Sequence, residues 1–130
     1  GDVYKRQGQA IAIGFRQITQ ASPASNMKIL LGNTGSDLGT VLECDTSSAP
    51  MIILIPASTT MPGSTYFPVG GEVIISRNNV GSLQIQPEAG SNVTIYSADN
   101  MTYLRSQYSM ATLIKKSNTQ WYLIGDISPY

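Results

Sequence analysis

The chain of 130 residues contains no histidine and a single cysteine, Cys44. The first absence excludes Ser-His-Asp and Cys-His catalytic machinery, histidine-ligated zinc and the usual general base. The second forbids an intrachain disulfide and a thiolate metal cluster. Charge is scarce too: 12% of the residues are charged, against about 25% in an average globular chain, so the surface must be built largely from Ser, Thr, Asn, Gln and Gly. The 8 basic and 8 acidic residues cancel, which argues against a strongly basic nucleic-acid or membrane-surface protein. No apolar run approaches the ~18 residues of a membrane span, and no signal-peptide pattern opens the chain. Composition therefore points to a structural or binding protein before an enzyme, with no cofactor and no metal.

Helical periodicity is missing as well, since Gly, Pro, Ser and Asn punctuate the whole length. What remains is a series of short strand candidates: part of Ile11 to Ile18, Met27 to Leu31, Thr40 to Cys44, Met51 to Ile55, Glu72 to Arg77, Ser82 to Gln86, Asn92 to Tyr96, Ser109 to Lys115 and Gln120 to Ile124. The all-apolar run Met51 to Ile55, stopped by Pro56, suggests a strand buried on both faces. Asn78-Asn79-Val80-Gly81 between two such runs predicts a hairpin, because Asn and Gly tolerate the positive φ of tight hairpin loops. A second hairpin is expected across Lys116 to Thr119. Short strands at intervals of roughly ten residues describe an all-β fold, a β-sandwich or jelly-roll-like barrel of short antiparallel strands. No repeat of fixed period is visible. Leu54, Ile74, Ile85, Ile95, Leu113 and Leu123, one from each of six strands, are expected to form one core.

Few residues offer chemistry. Glu43 and Asp45 would share a face of a continuous strand, but no acidic neighbours complete a calcium shell, and they read as solvated edge charges. Gly32-Asn33-Thr34-Gly35 and Gly70-Gly71 lack the Lys-Ser/Thr ending of a phosphate cradle. Cys44, without a basic neighbour in sequence, reads as a buried inert thiol. Phe67-Pro68-Val69-Gly70 reads as a loop anchor in which Phe67 plugs the core. Aromatic residues concentrate in the last third. Trp121 is expected inside, and Tyr96, Tyr103, Tyr108 and Tyr122 are the candidate contacts for a partner or a glycan.

Two resemblances add to this reading. Asp2-Val3-Tyr4-Lys5-Arg6-Gln7 resembles a translated sequencing-adapter end, which implies that residues 1–7 are an artefact of environmental sequencing and that an upstream part is missing. Without Asp2, Lys5 and Arg6 the counts fall from 8 and 8 to 6 basic and 7 acidic residues, and the absence of a basic patch stands. Residues 8–36 then form an amino-terminal strand and linker segment. Residues 37–130 are read as the main β-domain. Within it Asp37-Leu38-Gly39-Thr40-Val41-Leu42, Ile55-Pro56-Ala57, Phe67-Pro68-Val69-Gly70-Gly71, Val80-Gly81-Ser82-Leu83-Gln84-Ile85, Met110-Ala111-Thr112-Leu113-Ile114-Lys115, and Trp121 before Gly125-Asp126-Ile127 follow one another in an order that resembles a β-domain of tailed-bacteriophage virion proteins. The resemblance spans Asp37 to Ser128, about 70% of the chain. It implies a non-enzymatic module of a capsid decoration protein, head fibre or tail fibre, located on the virion. It further implies a homo-oligomer, a trimer favoured, in contact with other virion proteins; the balanced charge leaves no nucleic-acid or membrane partner expected. A carbohydrate-binding module that recognises a host-surface glycan is the alternative. A polysaccharide-degrading domain is a weaker one, because acids are few and scattered.

Overall fold

The computed structural model describes residues 12–19, 27–32, 36–47, 49–57 and 66–130. The expectation for residues 1–7 lies outside them. The elements are β1 (Gly14–Ile18), β2 (Met27–Ile29), β3 (Thr40–Cys44), β4 (Met51–Ile55), β5 (Glu72–Arg77), β6 (Leu83–Pro87), β7 (Thr94–Tyr96), β8 (Tyr103–Leu104), β9 (Met110–Ser117), β10 (Gln120–Gly125) and β11 (Ile127–Ser128), with one 3-10 turn at Ala98–Asn100. They form two sheets. Sheet A has the order β1-β3-β5-β9-β10-β7, and sheet B the order β11-β8-β6-β4-β2. The fold is an all-β sandwich.

Strand direction departs from the all-antiparallel expectation. From β1 to β6 the chain alternates between the sheets, and each return lies parallel to the strand before it: β1 on β3, β3 on β5, β2 on β4 and β4 on β6. The first half is thus a flattened coil whose successive turns stack. The turns are unequal. Gly14 pairs with Thr40, 26 residues on, whereas Val41 pairs with Ile74, 33 residues on. That inequality hides the coil from any search for a fixed period. The second half is mainly antiparallel: β9 joins β5, β10 joins β9, and β8 joins both β6 and β11. Strands from residues 8–36 therefore belong to the same two sheets as those from 37–130.

The expected hairpin between Glu72–Arg77 and Ser82–Gln86 does not form, because β5 lies in sheet A and β6 in sheet B. Asn78 to Gly81 is a corner between sheets, and none of these residues takes a positive φ. The corner is stacked on the equivalent corner of the preceding turn: the Asn78 amide donates to the Cys44 carbonyl at 2.9 Å. Gly81 is required there because a Cβ would stand 2.2 Å from the Thr46 carbonyl oxygen. The Arg77 guanidinium wraps the corner, donating to the Asn79, Val80 and Leu104 carbonyls. The other expected hairpin, β9 to β10, does form, with Ser117 opposite Gln120 and a register shift at Gln120/Trp121.

The core lies between the sheets. Ile53, Ile55, Val73, Ile75, Leu83, Ile85, Leu113, Trp121 and Leu123 are buried in one cluster, against which Ile95 packs. Phe67 is buried with its ring edge-on to Trp121 at 5.2 Å and 73°. Leu54 and Ile74 are corrected: each is half-buried and outside the cluster, because their neighbours Ile53, Ile55, Val73 and Ile75 take the inward positions. Alternation along a strand permits only one phase, and a run as apolar as Met51–Ile55 does not reveal which. The same run is not an edge, since β4 lies between β2 and β6. Its outward residues Ile52 and Leu54 stay half-exposed rather than fully covered.

The phase has a measurable consequence. Ile53→Ala should lower stability by about 2–5 kcal/mol, transfer loss plus cavity, whereas Leu54→Ala on the outer face should cost well under half as much. Paired urea titrations measure both. Equal losses would mean that the inward set is misplaced.

Candidate functional site

Two of the four candidate tyrosines come together. β7 pairs with β10 in parallel, so Tyr96 lies opposite Tyr122. Both point away from the core, since Ile95, Trp121 and Leu123 take the inward positions. Their rings stand 6.2 Å apart at 49°. The Gln120 amide donates to the Tyr96 hydroxyl at 2.9 Å, which fixes one ring. β7 covers only Gln120–Tyr122. Beyond it the edge of β10 borders a groove of about 450 Å³ whose walls include Tyr96, Ser97, Met101, Tyr122, Ile124 and Ile127. The groove is mainly apolar, and both tyrosines line it. The Ser97 hydroxyl is buried and meets no hydrogen-bond partner among the described residues. Rings of this kind present flat apolar surface with a polar tip, which suits a sugar face or a protein side chain.

The other two tyrosines lie elsewhere. Tyr103 is on β8 in sheet B, half-buried and opposite Gln84 and Ser128. Tyr108 is exposed in the turn before β9 with φ of 71°. Its amide donates to the Arg77 carbonyl at 2.6 Å. That turn is clamped from below. Asp126 accepts two bonds from the Arg105 guanidinium, at 2.7 and 2.8 Å, and one from the Ser109 hydroxyl at 2.7 Å. Asp126 thus closes a long-range clamp rather than a local backbone turn. A second, smaller groove of about 360 Å³ lies at the other end of sheet A, between Ile13, Leu38, Glu72 and Ile74.

The remaining candidates are dispersed. Glu43, on the outer face of β3, accepts from the Gln17 amide. Asp45 lies past the end of the strand, where its carboxylate accepts from the Ser47 amide and from Asn79. Those bonds, Ser47 first, hold its carboxyl below the usual range. Cys44 is buried, and desolvation pushes its thiol up to about 12. Among the described residues no three His, Cys, Asp or Glu side chains gather as a metal site would require.

Two buried charges escaped the sequence reading. Asp37 is fully buried, and one carboxylate oxygen accepts from Lys28 Nζ and from the Leu31 amide, both at 2.8 Å. Arg16 approaches the other oxygen at 3.5 Å. Lys115 shares the inward face of β9 with Ala111 and Leu113, and its Nζ donates to the Phe67 carbonyl at 2.6 Å. The same ammonium lies 5.5 Å from the Tyr66 ring centroid, and burial pushes its pKa down. The available signal was parity: Lys115 alternates in step with Leu113. No protein-family model and no curated protein matches the chain.

The clamp at Asp126 makes a pH prediction. The Arg105 bonds, then the Ser109 bond, depress its pKa, so the carboxylate stabilises the fold above the ordinary Asp range. That contribution is lost as pH falls through the depressed folded value. Asp126→Asn should therefore melt below the wild type at neutral pH, and the two melting curves should converge as the pH drops below about 4. A gap of constant size across that range would show that the charge plays no part.

Proposed function

We infer that this chain is a structural module of a tailed-bacteriophage virion, part of a capsid decoration protein, head fibre or tail fibre, that acts by contact rather than by catalysis. The resemblance from Asp37 to Ser128 corresponds to the stretch holding β3 to β11. The observation that carries the reading is the end of the coil at β1 and β2, which are outermost in their respective sheets. Natural proteins cover, charge or pair such edges. β1 carries Arg16 and β2 carries Lys28, but both of these cations turn to Asp37. Among the described residues the cations of both edges are thus drawn into ion pairs within the chain, and a neighbouring copy supplies the cover in a closed homo-oligomer, here a trimer. Light scattering across a concentration series tests it, with three copies expected and a monomer at high concentration overturning the self-associating module. The gene neighbourhood separates the locations: beside a major capsid gene it indicates the head, beside tail genes the fibre.

A second reading follows from the groove. Tyr96 and Tyr122 with the Gln120 amide form a small platform of the type that stacks on a sugar ring, and this favours a host-surface glycan as its ligand. On a glycan array the wild type should bind a restricted set, and Tyr122→Ala should weaken that binding at least about tenfold, as loss of a hot-spot aromatic does. Binding that survives the substitution would place the glycan elsewhere.

A further inference from the structure

The outer face of sheet A carries an apolar row that crosses five strands. The register sets Phe15 beside Val41, Val41 beside Ile74, Ile74 beside Thr112 and Thr112 beside Ile124. Val41 is buried and Ile74 and Thr112 are half-buried, so the exposed apolar surface of this face lies at its two ends. Among the described residues, the charges that alternate onto this face are Glu43, Glu72 and Lys116, each at or near a strand end. Phe15 projects from one edge at 67% exposure, and Ile124 stands at 56% beside the groove at the opposite edge. Sheet B differs: its outer face holds Gln84 and Gln86, which bond to each other and to Thr102.

The geometry points to a second copy of this chain as the occupant of this face, with Phe15 of one copy seated in the groove bordered by Tyr96, Tyr122 and Ile124 of its neighbour. This rests on the reading of the chain as a self-associating part and names the surface it uses. The projecting ring and the groove lie on one face, four strand spacings apart, or about 19 Å. A projection and a recess displaced across the same surface are what contact between identical copies needs, reciprocally in a pair or head to tail in a closed ring. The area is adequate. Ile13, Phe15, Tyr96, Met110, Tyr122 and Ile124 are all large apolar residues in the open, between 40% and 67% exposed. With side chains on the order of 200 Å² apiece they offer roughly 600 Å² per copy. A face-to-face pair would remove roughly 1,200 Å², the lower end of stable interfaces. A face with so few charges gives no electrostatic handle to a strongly charged partner.

Sedimentation velocity on the full chain tests the contact. Phe15→Ala should raise the dissociation constant at least about tenfold, as loss of a hot-spot aromatic does. Ile124→Lys should abolish association, and Gln86→Lys on sheet B should leave it unchanged. Dimers sensitive to Phe15→Ala would support this contact while removing the trimer. Association that persists unaltered in both sheet A variants would overturn the contact and leave the self-associating module standing. A wild type that stays monomeric would remove both. Should either variant misfold, hydroxyl-radical footprinting of the wild type decides: Met110 and Tyr122 should oxidise more slowly as concentration rises. Oxidation rates independent of concentration would overturn the contact.

Discussion

A carboxylate without access to water holds the first turn of the coil in place. Asp37 sits just before β3 and gathers Arg16 from β1, Lys28 from β2 and the backbone amide of Leu31. Its own carbonyl accepts from the Thr40 amide and hydroxyl, and its amide donates to the Leu31 carbonyl. One residue therefore joins both strands of the first turn to the start of the second. Burying such a charge costs several kcal/mol unless it is paired and hydrogen-bonded, so the carboxylate tolerates only arrangements that bring these partners in. The field reaches the core: Lys28 lowers and Asp37 raises the Cys44 thiol pKa, both secondary to desolvation. β2 needs this help. It has three residues, pairs with β4 alone and leaves Met27 and Ile29 exposed, so apolar burial does little to hold it.

Lys115 plays the matching part in the next corner of the coil, which stacks on the corner that holds Asp37. Its inward position on β9 would ordinarily demand an apolar residue, yet its ammonium reaches the Phe67 carbonyl and so fixes the loop whose ring packs against Trp121. Gly32 lies beneath that loop, where a Cβ would stand 1.9 Å from the Tyr66 carbonyl oxygen. The chain has only 8 basic and 8 acidic residues, and among the described residues two of them, Asp37 and Lys115, are buried, each tethering a connection between the sheets. A buried ion that bonds to backbone specifies position more sharply than apolar contact, which is non-directional.

Strands were legible in the sequence and their partners were not. The nine strand candidates fall on β1 to β7, β9 and β10, because short apolar runs between Gly, Pro and Asn state their own boundaries. β8 and β11, two residues each, carry no pattern long enough to register. Pairing depends on what lies across the sheet, and here parallel neighbours are separated by an intervening strand in the opposite sheet. Asn78 to Gly81 has the composition of a hairpin loop, but the same small residues serve a corner that must stack closely on Thr46. Tyr96 and Tyr122 could be named as candidates, since exposed aromatics attract suspicion by type. Their meeting arises from a parallel pairing across 26 positions, 96 to 122, which no local signal encodes. Asp37 and Lys115 were overlooked for the converse reason: charged residues are expected outside, and only parity along β9 hinted otherwise.

The outer surface of sheet A is a by-product of the register chosen by the core. Leu42, Val73, Ile75, Leu113 and Leu123 face inward because the sandwich needs them there. Their alternate neighbours Val41, Ile74, Thr112 and Ile124 are then placed outward and aligned in a single row. A slip of one residue in any strand would put a core residue outside and break the row at that strand. The parallel coil supplies three strands of the row, β1, β3 and β5, and the antiparallel half two, β9 and β10, joined where β5 meets β9. The surface is therefore continuous only in the correctly assembled domain, and the energetics that select the fold also present the face that a neighbour would meet.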